Sequence, residues 1–255
     1  MPRGRRACRV VRPTRVLQRI TTGIIRPDGS GERDLPLPAG TLQLGPGAWS
    51  RDGKWIAFEG WDDTNPGQNG IYYGLASDGG DLIRLTHARN GMHDRPVDVS
   101  PNGSRVFFFR PIQGFPSYGN DQEGSLFVVD TNGEGLRRLT PRHMPVEVAG
   151  NGGGRLSRNG KWIVFTSAGT IWKIHPNGSG LRKVFRDRKG RLAITPTWSP
   201  NGAYILFGLD PAGQLGTVEN APSNGLYVIR ANGSGLAGVI RSKDFKREPD
   251  WVATN

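Results

Sequence analysis

The sequence predicts an all-β protein built from repeats of four short antiparallel strands. Three observations support this prediction: a serine-containing turn motif that occurs four times, a glycine-rich turn motif that occurs five times, and apolar runs of strand length between them. No helical periodicity persists long enough to indicate a second layer. A chain of 255 residues can form a single domain with a sizeable core.

The first turn motif is clearest in residues 198–207, WSPNGAYILF. Proline suits the first corner of a type I turn, asparagine the second, and Gly202 the left-handed position that closes the hairpin. The apolar and aromatic run that follows is typical of a well-buried strand. The motif occurs three more times, with its turn glycine at Gly53, Gly103 and Gly160. We name the strand before this turn A and the strand after it B, and we expect a positive φ at all four glycines.

The second turn motif indicates another hairpin in each repeat. Its five copies begin at Asp28, Asp78, Asn132, Asn177 and Asn232. Four copies follow short β-type runs, and short runs also come after them, so we name the flanking strands C and D. Each period of about 45–55 residues therefore holds four strands, which is typical of propeller blades rather than helical solenoids.

This pattern resembles the TolB-type β-propeller repeat, a relative of the WD repeat. In that family the blade reads Trp-Ser-Pro-Asp-Gly-Lys, an apolar strand, Ile-Tyr, Asp-Gly and Arg-Leu-Thr, and the match covers about residues 23–251. Val99 and Leu156 stand where the family repeat has tryptophan, so less aromatic packing is expected at those two junctions. The resemblance implies a propeller that recognises a protein or peptide in a periplasmic or extracellular setting, although no signal peptide is visible. Propellers host unrelated activities, so the resemblance is specific for fold rather than function.

The two ends of the chain contain complementary parts of one repeat. Residues 14–18, 24–26 and 32–35 would supply strands B, C and D, while residues 249–252 align with the start of a repeat and would supply strand A. A blade built from both ends closes the ring by pairing the N- and C-terminal strands and removes the free sheet edges. We expect five blades; the alternative is six, with an upstream blade lost to a misplaced start codon.

The basic residues concentrate at the N-terminus. The formal net charge is +12, and the first 19 residues contain seven arginines and no acidic residue. Such tails can bind nucleic acid or anionic membranes through counterion release, while the plainer interpretation is a disordered or misassigned terminus. We expect residues 1–12 to be a disordered tail, residues 13–255 to form the propeller domain, and no specific nucleic-acid binding. No apolar run approaches the roughly 20 residues of a membrane span.

Residues with catalytic or ligand-binding chemistry form no recognisable motif. A single cysteine, Cys8, excludes a disulfide framework within the chain, and the four scattered histidines have no metal-ligand spacing. The sequence lacks both a Gly-x-Ser-x-Gly elbow and a phosphate-binding glycine motif between a strand and a helix. We therefore expect no cofactor and no metal site, and we assign no catalytic residue.

The loops carry whatever function such a scaffold has. In an up-and-down blade the A–B and C–D turns lie at one end, which we call the tight-turn end. The B–C loops and D-to-A connectors lie at the other, which we call the long-loop end because it receives every long insertion. The candidate binding residues there, expected to be exposed, are Trp61, Asp62, Asp63, His93, Arg95, Phe115, Tyr118, His143 and Arg188.

We interpret the chain as a monomeric, non-catalytic binding scaffold for a protein or peptide partner. The alternatives are a propeller enzyme of the glycosidase, lactonase or lyase type and the propeller module of a larger peptidase. Carboxylates or a metal at the channel mouth would favour the enzyme, whereas aromatic and arginine side chains there would favour binding.

Overall fold

The computed structural model describes residues 7–10, 22–36, 40–88, 92–111, 122–148, 154–210, 225–241, 249 and 251. These residues contain twenty β-strands, one short 3-10 helix at Pro66–Gln68 and no α-helix. No helix in this part of the chain is long and apolar enough to cross a membrane. The strands form five antiparallel sheets in chain order, so the all-β prediction and the expected five blades are confirmed.

The first two sheets lie in the first of two compact units, which comprises Met1–Arg110 and Val128–Leu136. Sheet I consists of β1 (Ala7–Val10), β2 (Thr22–Ile25) and β3 (Arg33–Leu35) in that order. Sheet II consists of β4 (Gln43–Trp49), β5 (Trp55–Trp61), β6 (Gly70–Leu75) and β7 (Ile83–Arg84) in that order.

The second unit comprises Pro111–Phe127 and Arg137–Asn255, and its described residues contain the last two sheets. Sheet III has the order β11–β10–β9–β8, with β12 also paired to β10. Its strands are β8 (Arg95–Val99), β9 (Arg105–Pro111), β10 (Gln122–Asp130), β11 (Arg137–Arg138) and β12 (Val146–Val148). Sheet IV consists of β13 (Arg155–Leu156), β14 (Ile163–Ser167), β15 (Thr170–Ile174) and β16 (Arg182–Phe185). Sheet V consists of β17 (Leu192–Trp198), β18 (Tyr204–Asp210), β19 (Gly225–Arg230) and β20 (Ala237–Arg241).

The N-terminal strand differs from the prediction. Strand B of sheet I is β1, which pairs with β2 in the register Cys8↔Ile24 and Val10↔Thr22. A strand therefore falls inside the segment that was expected to be a disordered tail, while residues 14–18, the predicted strand, lie outside the described residues. The β-branched and small apolar residues of this stretch suit a strand, but the sequence reading gave more weight to the arginines around them.

Closure through the two chain ends stays a prediction. Sheet I contains three strands among the described residues. Pro249 and Trp251 are described, and both lie outside any strand.

The four A–B turns share a hydrogen-bond network that centres on a serine. In the turn of sheet V, Ser199 Oγ donates to Asn201 Oδ1 over 2.8 Å and accepts from Tyr204 N over 2.9 Å. Gly202 N donates to Ser199 O over 2.8 Å, which closes the turn itself. The turns that begin at Ser50, Ser100 and Ser157 repeat this network. The φ angles are 69° at Gly53, 74° at Gly103, 70° at Gly160 and 70° at Gly202, so the prediction of positive φ is confirmed.

The C–D turns use an Asx side chain in a different way. In the turn of sheet IV, both the backbone N and the Oγ of Ser179 donate to Asn177 Oδ1, over 2.9 and 2.7 Å. The first and third residues after the Asx have positive φ in this turn, with 84° at Gly178 and 67° at Gly180. In the turn of sheet II the third residue is Asp81, whose φ is 49°. Aspartate tolerates this left-handed conformation better than most residues but less well than glycine.

The repeat tryptophans lie where neighbouring sheets of one unit pack together. In the second unit, Trp198 of sheet V shares a core cluster with Val164 and Val184 of sheet IV. Its indole Nε1 also donates to Arg155 O on strand β13 over 3.0 Å. In the first unit, Trp49 packs against a cluster that includes Ile24 and Leu35 of sheet I. These contacts fit the large apolar area that an aromatic side chain buries.

We predict that Gly233→Ala destabilises the protein more than Gly202→Ala. Both glycines have positive φ, so alanine costs conformational energy at either position, on the order of 1 kcal/mol. A β-carbon at Gly202 meets nothing within 4 Å, whereas at Gly233 it would collide with the carbonyl oxygen of Val184. Urea unfolding of both variants measures the difference, and equal midpoints for the two would contradict the prediction.

We also predict that Asp81→Gly stabilises the protein. The substitution relieves the positive φ without removing a described contact, because Asp81 is exposed and makes no hydrogen bond or ion pair with any described residue. The expected gain is about 0.5–1 kcal/mol, seen as a higher melting temperature. Asp78→Gly is the matched control and should lower the melting temperature, because Asp78 Oδ1 accepts from Gly80 N over 2.7 Å. A melting temperature for Asp81→Gly at or below that of the parent would show that the turn is not strained there.

Candidate functional site

A polar cluster occupies the long-loop end of the first unit. We define the Glu59 cluster as Glu59, Trp61, His93 and Arg95. His93 Nδ1 lies 3.0 Å from Glu59 Oε1, and Arg95 Nε lies 4.0 Å from Glu59 Oε2. The side chains of Glu59, His93 and Arg95 are 22%, 12% and 20% exposed, so the three polar groups are partly accessible.

Strand alternation places two members of the cluster on one face. Glu59 and Trp61 are two residues apart on β5, so their side chains point to the same side of sheet II. The Trp61 ring lies 5.9 Å from the His93 ring, centroid to centroid. Gly45 on β4 provides space for this indole, because a β-carbon there would lie 3.2 Å from Trp61 Cζ3. The tryptophan therefore packs within the sheet and contacts the histidine from the buried side.

A buried ion pair fixes the connector that carries His93 and Arg95. Asp94 is fully buried, and Arg110 binds it in a bidentate manner, with Nε to Oδ1 at 2.7 Å and Nη2 to Oδ2 at 2.6 Å. Thr86 Oγ1 also donates to Asp94 Oδ2 over 2.7 Å and accepts from Ile71 N over 2.9 Å. A bidentate guanidinium–carboxylate pair has strict geometry. It therefore limits the positions that the two flanking side chains can adopt.

Asp62 organises the loop beside the cluster. Its carboxylate accepts four hydrogen bonds, from Thr41 Oγ1, Thr64 Oγ1, Thr64 N and Asn65 N, at 2.6 to 3.0 Å. These hydrogen bonds lower the pKa of Asp62 to about 2, and the bond from Thr41 has the largest effect. Asp62 N donates in turn to Asn69 Oδ1 over 2.8 Å, which connects the two ends of the loop. Asp62 thus holds the loop in shape.

The predicted site residues divide into three groups. His93 and Arg95 lie together in the Glu59 cluster, and Asp63 is exposed nearby in sequence. Trp61 and Asp62 are only 7% and 4% exposed, so the expectation that they present exposed side chains is wrong. A tryptophan at the end of a strand is still part of the sheet, and the hydrogen bonds around Asp62 cover its carboxylate.

The remaining predicted residues lie elsewhere. His143 and Arg188 occupy exposed turns in the second unit. Phe115 and Tyr118 lie outside the described residues.

Sequence reading missed Glu59, Asp94 and Arg110. A signal for Glu59 existed, because it is the one charged residue inside the apolar run of β5, and charged residues are rarely buried without a partner. Asp94 and Arg110 gave no such signal, since their pairing joins positions 16 residues apart through the fold.

The Glu59 cluster combines an acceptor with two donor groups. The guanidinium of Arg95 donates hydrogen bonds only, the carboxylate of Glu59 accepts them when ionised, and His93 does either, depending on its protonation. Such a set can bind carbonyl, carboxylate and amide groups of a ligand. Among the described residues, no group of three or more His, Cys, Asp and Glu side chains is arranged to hold a metal ion.

Successive antiparallel sheets, four-stranded in sheets II, IV and V, whose strands are joined by A–B and C–D turns are typical of a β-propeller. The structure resembles TolB from Acinetobacter baumannii, with 19% identity, 93% of this chain and 53% of that chain covered, and a TM-score of 0.64. It also resembles the β-propeller domain of the trilobed protease from Pyrococcus furiosus, described as having an open velcro topology, with 17% identity, 93% and 68% coverage and a TM-score of 0.56. The fold is therefore that of a TolB-like β-propeller.

A third similar structure is an oligogalacturonate lyase in complex with manganese, with 11% identity, 88% and 60% coverage and a TM-score of 0.57. The chain spans between about half and two thirds of the length of these three structures. Comparison of the sequence with protein-family models and with curated proteins gave no match. At these identities the likeness establishes the fold and leaves function to the site.

We predict that the Asp62 carboxyl titrates with a midpoint of about 2. Because its pKa in the folded protein lies below the ordinary value of 3.8, its hydrogen bonds stabilise the loop above about pH 4, and this contribution is lost as the pH falls towards 2. Carbon-13 NMR of the side-chain carboxyl measures the midpoint.

The variant Thr41→Val should move that midpoint upward, because Thr41 contributes the largest lowering effect. In an Asp62→Asn variant, the amide shifts of Thr64 and Asn65 should no longer change over the same pH range. A midpoint near 3.8 in the parent protein would contradict the hydrogen-bond arrangement.

Proposed function

We propose that the protein is a non-catalytic binding scaffold that recognises a protein or peptide partner through the Glu59 cluster at its long-loop end. The main support is one observation: an arginine, a histidine and a glutamate, all partly exposed, are held together above a buried tryptophan. The likeness to TolB adds support at the level of fold.

The chemistry of the cluster suits a polypeptide ligand. An extended peptide presents backbone N–H and C=O groups, and the carboxylate of Glu59 can accept from the first while Arg95 donates to the second. Arginine is enriched among the residues that dominate binding energy at protein interfaces. The Asp94–Arg110 pair restricts the connector, so little conformational entropy is lost there when a partner binds.

A second candidate function follows from the 3.0 Å contact between His93 and Glu59. An imidazole that is hydrogen-bonded to a carboxylate can transfer protons in general acid–base catalysis. Together with the likeness to an oligogalacturonate lyase, this contact makes a lyase-type propeller enzyme the alternative. Incubation with oligogalacturonate, with and without Mn²⁺, distinguishes the enzyme from the binding scaffold, because only the enzyme would degrade this substrate. The Glu59→Gln variant of such an enzyme should lose the activity.

The binding proposal is tested with a photo-crosslinking amino acid placed at position 63 of the immobilised protein and a lysate of the source organism, because Asp63 is exposed and is not a member of the cluster. Mass spectrometry identifies the crosslinked partner, and calorimetry with the purified partner then measures affinity. Arg95→Ala should weaken binding at least tenfold, as expected when an interface arginine that contributes about 2 kcal/mol is truncated.

Arg105→Ala is the matched control. Arg105 is likewise an arginine that pairs with an acid, Asp130, at 3.3 Å, but it is more exposed than Arg95 and lies at the tight-turn end of the same unit. Binding that falls in Arg105→Ala and is unchanged in Arg95→Ala, with both variants folded, would place the site at the wrong end.

A further inference from the structure

The tight-turn end of the first unit contains a cavity of about 430 Å³. It lies beside the A–B turns of sheets II and III, and its lining includes Ser50, Asp52, Trp55, Tyr73, Pro101 and Asn102. Its volume falls within the roughly 300–1,000 Å³ of small-molecule sites. The cavity is separate from the Glu59 cluster, and nothing in the proposed function uses it.

Two turn residues present polar atoms that the turns themselves do not use. Asn102 Oδ1 accepts from Ser100 Oγ, Ser104 N and Ser104 Oγ, whereas its Nδ2 has no hydrogen bond to any described residue. Asp52 Oδ1 accepts from Ser50 Oγ and Lys54 N, whereas its Oδ2 is without a hydrogen bond among the described residues. The hydrogen bond from Ser50 lowers the pKa of Asp52, so this carboxylate is an ionised acceptor at neutral pH. The cavity is thus lined by one strong acceptor and one amide donor.

Tyr73 contributes its ring rather than its hydroxyl to the cavity wall. The hydroxyl is inaccessible to solvent. Burial, followed by the charge of Asp52, raises the pKa of Tyr73 to about 12, while a hydrogen bond with Ser50 acts in the opposite direction. The phenol is therefore neutral at neutral pH, and its ring forms part of the apolar lining.

The apolar part of the lining is flat, and the charges balance. Trp55 is half-buried and stacks on Tyr73, with ring centroids 5.2 Å apart and planes inclined by 9°. Pro101 adds a further apolar surface. Among the described residues that line the cavity, Arg51 and Asp52 alone carry charge, and their charges are opposite. A singly charged ligand therefore gains no net attraction from the wall.

We infer that this cavity binds a neutral sugar of mono- or disaccharide size. A sugar hydroxyl both donates and accepts, so neighbouring hydroxyls can donate to Asp52 Oδ2 and accept from Asn102 Nδ2. The C–H face of a sugar ring is apolar and packs on the surfaces of Trp55 and Pro101. An apolar ligand would displace water from Asp52 Oδ2 and Asn102 Nδ2 without replacing the lost hydrogen bonds.

The inference is tested by calorimetry and saturation-transfer NMR with a panel of neutral sugars: glucose, galactose, mannose, N-acetylglucosamine, maltose and cellobiose. At least one should bind saturably to the parent protein. Asn102→Asp retains the Oδ1 acceptor of the turn and removes the amide donor, and aspartate already occupies this corner at Asp52. It should weaken binding about tenfold, the effect of one lost hydrogen bond.

Asn201→Asp is the matched control, because Asn201 Oδ1 makes the same turn contacts, with Ser199 Oγ at 2.8 Å and Ala203 N at 3.0 Å, outside this cavity. Asp52→Asn retains the Oδ1 acceptor of its turn and replaces Oδ2 by an amide donor, and asparagine already occupies this corner in the other three turns. It should also weaken sugar binding about tenfold. Failure of every sugar to bind, or binding that persists unchanged in both Asn102→Asp and Asp52→Asn, would overturn the inference. Binding of a tripeptide library in place of all sugars would overturn it as well.

Discussion

The hydrogen bond from a serine hydroxyl to the Asx side chain two residues later is the interaction on which the repeat depends. In all four A–B turns the same serine oxygen also accepts from a backbone nitrogen at the start of strand B. The donor is the first strand residue in three turns and Trp162, just before β14, in the fourth. One hydroxyl therefore connects the turn to the strand that follows it. The Asx oxygen also accepts a hydrogen bond from the backbone nitrogen two residues later, which belongs to Lys54, Ser104, Lys161 or Ala203 in the four turns. Successive side chains of a strand point to opposite faces of the sheet. A turn that fixes where strand B begins therefore also fixes which residues of that strand face the core.

This local origin explains why so much of the fold could be predicted. The turn is specified by about five consecutive residues, so Gly202 and its three equivalents identify hairpins without knowledge of any distant contact. The order of strands within a sheet then follows, because antiparallel neighbours joined by short turns lie next to each other in space. The repeats supply the rest, since each one predicts the next.

The candidate site depends on contacts of a different kind, and sequence reading recovered less of it. His93 and Arg95 were identified because connectors at one end of a blade are brought together by topology. The burial of Trp61 and Asp62 was not predictable in that way. Trp61 is buried because Gly45 leaves space for its indole. Asp62 is buried because Thr41, which lies 21 residues before it in the sequence, reaches its carboxylate. Likewise, the Asp94–Arg110 pair is set by how β9 lies against the connector. Such pairings follow from register and packing, which a local motif does not encode.

The two ends of the first unit separate structural contacts from accessible polar groups in two different ways. At the long-loop end the roles are divided among residues: Asp94 and Arg110 hold the connector while its neighbours are partly exposed. At the tight-turn end the division falls within a single side chain. One oxygen of Asp52 and the oxygen of Asn102 hold their turns, which leaves Asp52 Oδ2 and Asn102 Nδ2 for a ligand. Since the turn needs only one acceptor oxygen at this corner, aspartate and asparagine are equivalent for folding but opposite for recognition. A repeat can therefore change the hydrogen-bonding character of the tight-turn end from blade to blade while keeping its turn geometry.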